Sequence, residues 1–501
     1  MHKKFLTNLG LILFLNLLIK PFYVLGIEKA IQNQVGTANY GIYFAIMNFS
    51  FLLTIILDFG ITNFNNKNIA QNSHLLTKHF SSLFTLKLML AVLYIIIVIV
   101  AGFSIGYDSR LMKLLLIQGF NMFLLFFINY LRSNIAGLQL FKTDGIVSVL
   151  DRSIMIIIGV ILLRSGILYP ENSNGNGIMY FVYAQTFAYS VAAITAFLII
   201  VKKTHSFRLK WNFPFSLMIL KKSLPFAILT LLMSFYNRID SVMIERILPK
   251  GVGDVQSGIY AQGFRILDAT NMIAFLVAGV LLPVFSRMLK QRESVEPIVK
   301  LISRLLLTPA IVIGVGCLFY KDNLIGYLYP CGKNEDPLIY AVHIKESAQI
   351  FSFLMLSFVA ASTTYIFGTL LTANGNMKQL NFMAATGMIL NIIFNYLLIG
   401  KYEALGSAII SMCTQFLTAI IQLTIAQRIF KFKVNYRLIG AFIIFTLGVA
   451  IINYYSQTLH FNLLSKNNWL INFSIMCSAC GIWAFVTGMI SIKAIFRFVK
   501  F

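Results

Sequence analysis

Acidic residues are scarce in this sequence: 17 Asp and Glu stand against 41 Lys and Arg in 501 residues, and only 12% of the chain is charged while 58% is hydrophobic. Soluble chains carry roughly 25% charged residues, so a water-soluble globular protein is excluded. Cysteine and histidine are also few. Of the five cysteines, Cys317, Cys413, Cys477 and Cys480 lie in apolar runs, and Cys331 stands alone in a polar connection, which excludes a disulfide framework. Cys477 and Cys480 form a CxxC without basic neighbours, and they read as small buried side chains rather than a redox or metal pair. All six histidines (His2, His74, His79, His205, His343, His460) fall in terminal or loop segments, none at metal-ligand spacing to carboxylates, so no zinc site or metal cofactor is expected. No GxxxxGK[ST] loop is present, so the chain is not its own ATPase. Long polar connections are missing too. The longest outer one, roughly 320–346, holds Tyr329-Pro330-Cys331-Gly332 and Glu335-Asp336 and leaves no room for a catalytic domain.

What fills the sequence instead is a series of apolar runs, each long enough to cross about 30 Å of hydrocarbon. About fourteen can be drawn, at 8–28, 40–60, 82–103, 111–131, 146–166, 178–201, 223–247, 262–285, 298–319, 347–372, 381–400, 403–426, 437–455 and 469–491. The fold class is all-α and polytopic. The first run has a basic start, but Lys20-Pro21 interrupts it and no small-residue cleavage site follows, which predicts a retained helix rather than a signal peptide.

A net charge of +24 invites a nucleic-acid reading, and the positions of the basic residues answer it. Most of them fall in alternate connections: Lys202, Lys203, Arg208, Lys210, Lys221 and Lys222, then Arg287, Lys290, Arg292 and Lys300, then Arg428, Lys431, Lys433 and Arg437. This is the positive-inside pattern of a membrane protein, and nucleic acid is not required as a partner. Lys3 and Lys4 put the N-terminus in the cytoplasm, and Lys493, Arg497 and Lys500 put the C-terminus there as well. The expected location is the cytoplasmic (inner) membrane, crossed many times.

The opening of the chain repeats. Ile27-Glu28-Lys29, Val35-Gly36 and Gly41-Ile42-Tyr43 return about 217 residues later as Ile244-Glu245-Arg246, Val252-Gly253 and Gly258-Ile259-Tyr260, without a gap. The offset pairs the first span with the seventh, so each repeat has six spans and both point the same way. Parallel repeats of this kind mark secondary transporters, which bind substrate where the halves meet. The expected organisation is an N-terminal lobe at 1–201, a basic cytoplasmic linker at 202–222 with Trp211 and Pro214 at the lipid surface, a C-terminal lobe at 223–430 and two added spans at 431–501. In the repeated Gly-Ile-Tyr, glycine permits a turn and tyrosine suits the headgroup layer, so the motif informs on fold rather than chemistry.

Charges inside the spans are candidates for function, because each costs at least about 2.5 to 3.5 kcal/mol at the bilayer centre. Lys20 beside Pro21 and Arg238 with Asp240 are the deepest, and in the repeat Lys20 and Arg238 fall one position apart. They would present one cation from the first helix of each half. Asp58, Lys87, Arg164, Arg265, Asp268 and Arg304 lie nearer the interfaces, where anchoring by snorkelling is the plainer reading. Lys87 and Arg304 are again about 217 residues apart. Arg265 and Asp268, at i and i+3, can meet on one helical face. Glu28-Lys29 and Glu245-Arg246 end their helices and read as depth anchors.

Val35-Gly36-Thr37-Ala38-Asn39-Tyr40-Gly41-Ile42-Tyr43, Leu57-Asp58-Phe59-Gly60-Ile61 and Asn68-Ile69-Ala70-Gln71 resemble the polysaccharide and oligosaccharide flippases. These belong to the multidrug/oligosaccharidyl-lipid/polysaccharide exporter superfamily. Arg238-Ile239-Asp240 and Tyr260-Ala261-Gln262-Gly263-Phe264-Arg265-Ile266-Leu267 look like the second-lobe pattern. The resemblance implies two six-helix lobes in a V with two extra helices. It also implies translocation of lipid-pyrophosphate-linked sugar to the outer leaflet by alternating access, with basic cavity residues holding the pyrophosphate. By position Lys20 and Arg238 or Arg265 match that use, with Lys87 and Arg304 as weaker matches. Asp58, Asp240 and Asp268 are the candidates for coupling or ion pairing. Partners would be the lipid-linked oligosaccharide, membrane lipids and other polysaccharide-assembly proteins; the coupling ion, H⁺ or Na⁺, stays open. Two alternatives stand beside it: a cation-coupled multidrug exporter of the same superfamily, whose sites favour acids, and a membrane polymerase or ligase of glycan assembly, which would need a large outer loop.

Overall fold

The structure is a computed structural model that describes residues 15–62, 65, 75–138, 140–171, 173, 176–204, 211–331, 336–433, 435–458 and 468–490. The chain is built of helices, and among the described residues there is no strand. Residues 15–35 form α1, which contains a π-helical stretch at Tyr23–Glu28 directly after Pro21. Then follow α2 (Thr37–Leu52), the short α3 (Ile55–Asp58), α4 (Leu75–Ile105), α5 (Ser109–Gly137), α6 (Phe141–Ser165), α7 (Gly177–Thr204), α8 (Phe213–Ile247) and α9 (Val252–Lys290). The remainder is α10 (Glu296–Phe319), α11 (Lys321–Leu328), α12 (Pro337–Ala373), α13 (Met377–Phe430), α14 (Tyr436–Thr458) and α15 (Asn468–Val486).

Local sequence explains the breaks. Gly36 separates α1 from α2 at φ 83°, a conformation that a side chain would strain. Asp108, Asn212 and Asp336 cap α5, α8 and α12 by accepting the amides of Leu111, Phe215 and Leu338 at 2.8, 3.1 and 2.8 Å. In the last two, a proline, Pro214 or Pro337, stands in the first turn, where its missing N–H costs nothing. The 54-residue α13 is two helices meeting at Glu403, whose φ of 51° and ψ of −138° are not helical. This tight reversal separates the runs expected at 381–400 and 403–426.

Eleven helices among the described residues are long and apolar enough to cross a membrane. The first two expected spans are not among them, and the reason is visible in the chain. Residues 8–14 of the first lie outside the described residues and the rest of its helix contains the π stretch, while the helix of the second stops at Leu52 and resumes as α3. Apolar side chains face outward: Val92, Ile96, Val100 and Phe103 form an exposed stripe along α4 at helical spacing, as a lipid-facing helix requires.

The chain divides into two compact units, 1–261 and 262–501, with the boundary inside α9. In the first, α5 packs on α7, α2 on α8 and α6 on α7. One of its cores joins Phe80, Leu86, Tyr130, Val147, Ile200 and Ile219, drawn from α4 to α8. In the second, α12 packs on α13 and α10, while α14 and α15 bring Phe445, Val449, Met476 and Cys480 against Ile311 of α10.

Candidate functional site

Within the first unit the π-containing helix α1 lies against α6. Asn16 donates to the Ser148 hydroxyl at 2.8 Å, and one turn later Lys20 stands within electrostatic reach of Arg132, Asp144, Asp151 and Arg152. Lys20 makes no hydrogen bond or close ion pair among the described residues. Arg132, near the end of α5, holds Asp144 in the first turn of α6 through Nε to Oδ1 at 2.8 Å and Nη2 to Oδ2 at 3.3 Å. The side chains of Arg132 and Asp144 keep 23% and 11% of their surface open, so the pair is lined rather than sealed by protein. Arg152 sits differently. Its guanidinium lies over the rings of Tyr23 and Tyr189, 4.8 and 5.6 Å from their centroids, with Asp151 3.5 Å from Nε. Three cations thus face two carboxylates beside an aromatic wall.

Next to this cluster is Glu28, which buries its carboxylate and accepts the Tyr40 hydroxyl at 2.9 Å. A charged pair at a helix end was expected to fix depth, yet Glu28 belongs to the π stretch and turns inward. Tyr43, which packs on Tyr40 and Phe181, takes the Gln185 amide at 2.9 Å. The second repeat also buries a carboxylate against a tyrosine, at a position that does not align with Glu28: Asp240, 1% exposed, accepts the Tyr260 hydroxyl at 2.7 Å. Arg238, two residues away and so on another face of α8, lies 5.2 Å over the Phe51 ring of α2. On the next turn, the Asn48 amide donates to Ser241 at 2.8 Å and ties the same two helices.

Lys87 and Asp58 come together. Lys87 is 3% exposed, pairs with Asp58, and donates to the Leu57 carbonyl at 2.9 Å. The break after α3, with Phe59 at φ 45° and Gly60 at φ 72°, frees carbonyls that have no helical partner, and Lys87 supplies a donor inside the membrane. In the second unit, Arg265 and Asp268 approach to 3.9 Å across one turn, and Arg304 in α10 has a buried Nε with no hydrogen-bond partner among the described residues.

Sequence reading missed Arg132, Asp144, Asp151 and Arg152. Asp151-Arg152 lies inside the run expected at 146–166, so depth alone could have singled it out, as it did Lys20. Arg132 and Asp144 flank the connection between α5 and α6, and only folding back of α6 joins them.

The fold is similar to that of solved proteins of the MOP superfamily. It matches the lipid II flippase MurJ in an inward closed conformation with 14% identity and a TM-score of 0.70, over 95% of this chain and 98% of that one. It matches an inward-facing multidrug resistance MATE family transporter of the MOP superfamily with 13% identity and a TM-score of 0.63, over 84% and 98%. A MOP superfamily transporter from Pyrococcus furiosus Vc1, described as having a binding pocket of reverse polarity, matches with 13% identity and a TM-score of 0.61, over 86% and 96%. No curated protein matches the chain. The chain is thus a helical, multi-pass membrane protein of this fold. The family described as "Polysaccharide biosynthesis protein" matches residues 8–289, more than half of the sequence, and the chain belongs to that family.

Proposed function

We propose that this protein translocates lipid-pyrophosphate-linked oligosaccharide from the inner to the outer leaflet of the cytoplasmic membrane, for surface polysaccharide biosynthesis, by alternating access. The observation that carries the reading is the cluster of Lys20, Arg132 and Arg152 within the spans, where a family tied to polysaccharide biosynthesis would have to receive a doubly charged headgroup. Cations in an apolar surrounding are stable only when paired, and a diphosphate offers several strong acceptors to Lys and Arg at once. The lipid tail stays in the bilayer while the headgroup crosses. Arg238 is the matching cation of the second repeat in this reading, with Arg265 and Arg304 further along. The two six-helix lobes, both termini on the cytoplasmic side, belong to the same proposal, and the energy source stays open, an H⁺ or Na⁺ gradient among the candidates.

The multidrug-exporter alternative rests on the buried carboxylates Glu28 and Asp240, which suit a cationic cargo. Cells lacking the protein discriminate the two. Lipid-linked saccharide confined to the inner leaflet, and reaching outer-side label only when the wild type is restored, supports flipping. Normal export with raised sensitivity to cationic dyes supports the drug exporter.

A further inference from the structure

The geometry points to a diphosphate site made by Lys20 and Arg132 in which Asp144 is the resident counter-ion of the empty protein, displaced when the headgroup binds. This rests on the flippase reading and assigns residues to it. The way Arg132 is held separates it from Arg152 and Lys87. Its partner is a single carboxylate that engages the guanidinium through two nitrogens, the geometry that a phosphate oxygen pair copies. Arg152, in contrast, is held by two aromatic rings and has a looser carboxylate contact, and Lys87 is locked by Asp58 and a backbone carbonyl. Of these three, Arg132 is therefore the cation whose bonds an incoming anion can replace one for one.

Asp144 can leave without becoming an unsupported charge. It lies in the first turn of α6, where free amides and the positive end of the helix dipole stabilise a carboxylate by themselves. Lys20 of α1 lies within electrostatic reach of both members of the pair, and of Asp151 and Arg152 of α6. Among them, Lys20 lacks a close partner. An arriving diphosphate would meet one cation without a partner and one held by an exchangeable ligand, with Arg152 fixed behind them as a background charge. In the empty protein Asp144 keeps Arg132 from gripping carbonyls or adventitious anions, and the exchange makes release as feasible as capture.

The test uses the purified full-length protein in detergent, with inorganic pyrophosphate and farnesyl diphosphate as probes, and thermal melting as the check on folding. Asp144→Asn removes the competitor, so binding should tighten; Arg132→Gln should weaken it by about tenfold or more, the usual loss of a charge-assisted pair. The exchanged double variant Arg132→Asp with Asp144→Arg decides between roles. It restores an ion pair, so a scaffolding pair would return both melting and binding to wild-type values. Wild-type melting with weak binding supports the exchange. Wild-type binding in the double variant, or unchanged binding in folded Asp144→Asn, overturns it and leaves the flippase reading standing. Failure of the wild type to bind either probe overturns that reading as well. Binding of farnesyl diphosphate alone supports the site and identifies a lipid-linked rather than a free diphosphate as its ligand.

Discussion

Gly41 and Gly258, the same residue of the two repeats, lie against each other's helices with no room for a side chain. A methyl group on Gly41 would fall 1.9 Å from the Asp254 carbonyl oxygen, and one on Gly258 would fall 2.1 Å from that of Thr37. The Ser257 hydroxyl donates to the Gly41 carbonyl at 3.2 Å, and the Gln32 amide donates to that of Gly258 at 3.3 Å. Neither glycine makes a turn, as the motif suggested; both sit within helices and permit close backbone approach. Gly41→Ala and Gly258→Ala should each destabilise the fold by about 1 to 3 kcal/mol or more, despite alanine's better helix propensity. Gly440→Ala, where nothing stands within 4 Å, is the control and should not lower the melting temperature. Equal melting of all three would refute the packing argument.

The Asp58–Lys87 pair makes a second prediction. Removing one member strands a buried charge beside a broken helix, at a cost of about 3 to 5 kcal/mol, whereas removing both leaves no charge to strand. Lys87→Met should therefore lower the yield of folded protein more than the double variant Lys87→Met with Asp58→Leu. Protein level and melting in detergent are the readouts, and a double variant worse than the single one would reject the pairing as the reason for the burial.

Lys20→Ala and Arg238→Ala should abolish outer-leaflet appearance of lipid-linked saccharide while protein level stays normal. Export retained in both variants would end the role given to the deep cations.

Glu403 supplies a test of strain alone. Its backbone lies in a region open mainly to glycine, so Glu403→Gly should stabilise the protein by about 1 kcal/mol or more if no contact of the carboxylate opposes it. A lower melting temperature would mean that the Glu403 side chain holds the reversal together.

Much of the fold was legible because the bilayer demands long apolar runs, and the runs from α4 to α15 follow from composition alone. Depth likewise marked Lys20, Arg238 and Asp240. Partners were harder to read. That Lys87 meets Asp58 depends on a helix that stops and turns at Phe59, and that Arg132 meets Asp144 depends on the angle at which α6 returns beside α5. Periodicity carries neither. Glu28 shows the limit from the other side: its place at a helix end reads as an anchor, but a local change of helix type turns it toward Tyr40.

That change of helix type has a consequence for the two deep cations. Counted from the repeated glutamates, Glu28 and Glu245, the residue equivalent to Lys20 is Asn237, and Arg238 is one place off. Between Lys20 and Glu28, however, α1 winds through a π turn, which takes up one residue more than the α-helical winding of α8 over the same stretch. One residue is about 100° of rotation. Lys20 therefore leaves its helix in the direction that an unwidened helix would give to the next residue, the one that corresponds to Arg238. The copies disagree by one letter in sequence and agree in azimuth, so the duplication preserves the bearing of a positive charge rather than its position in the chain.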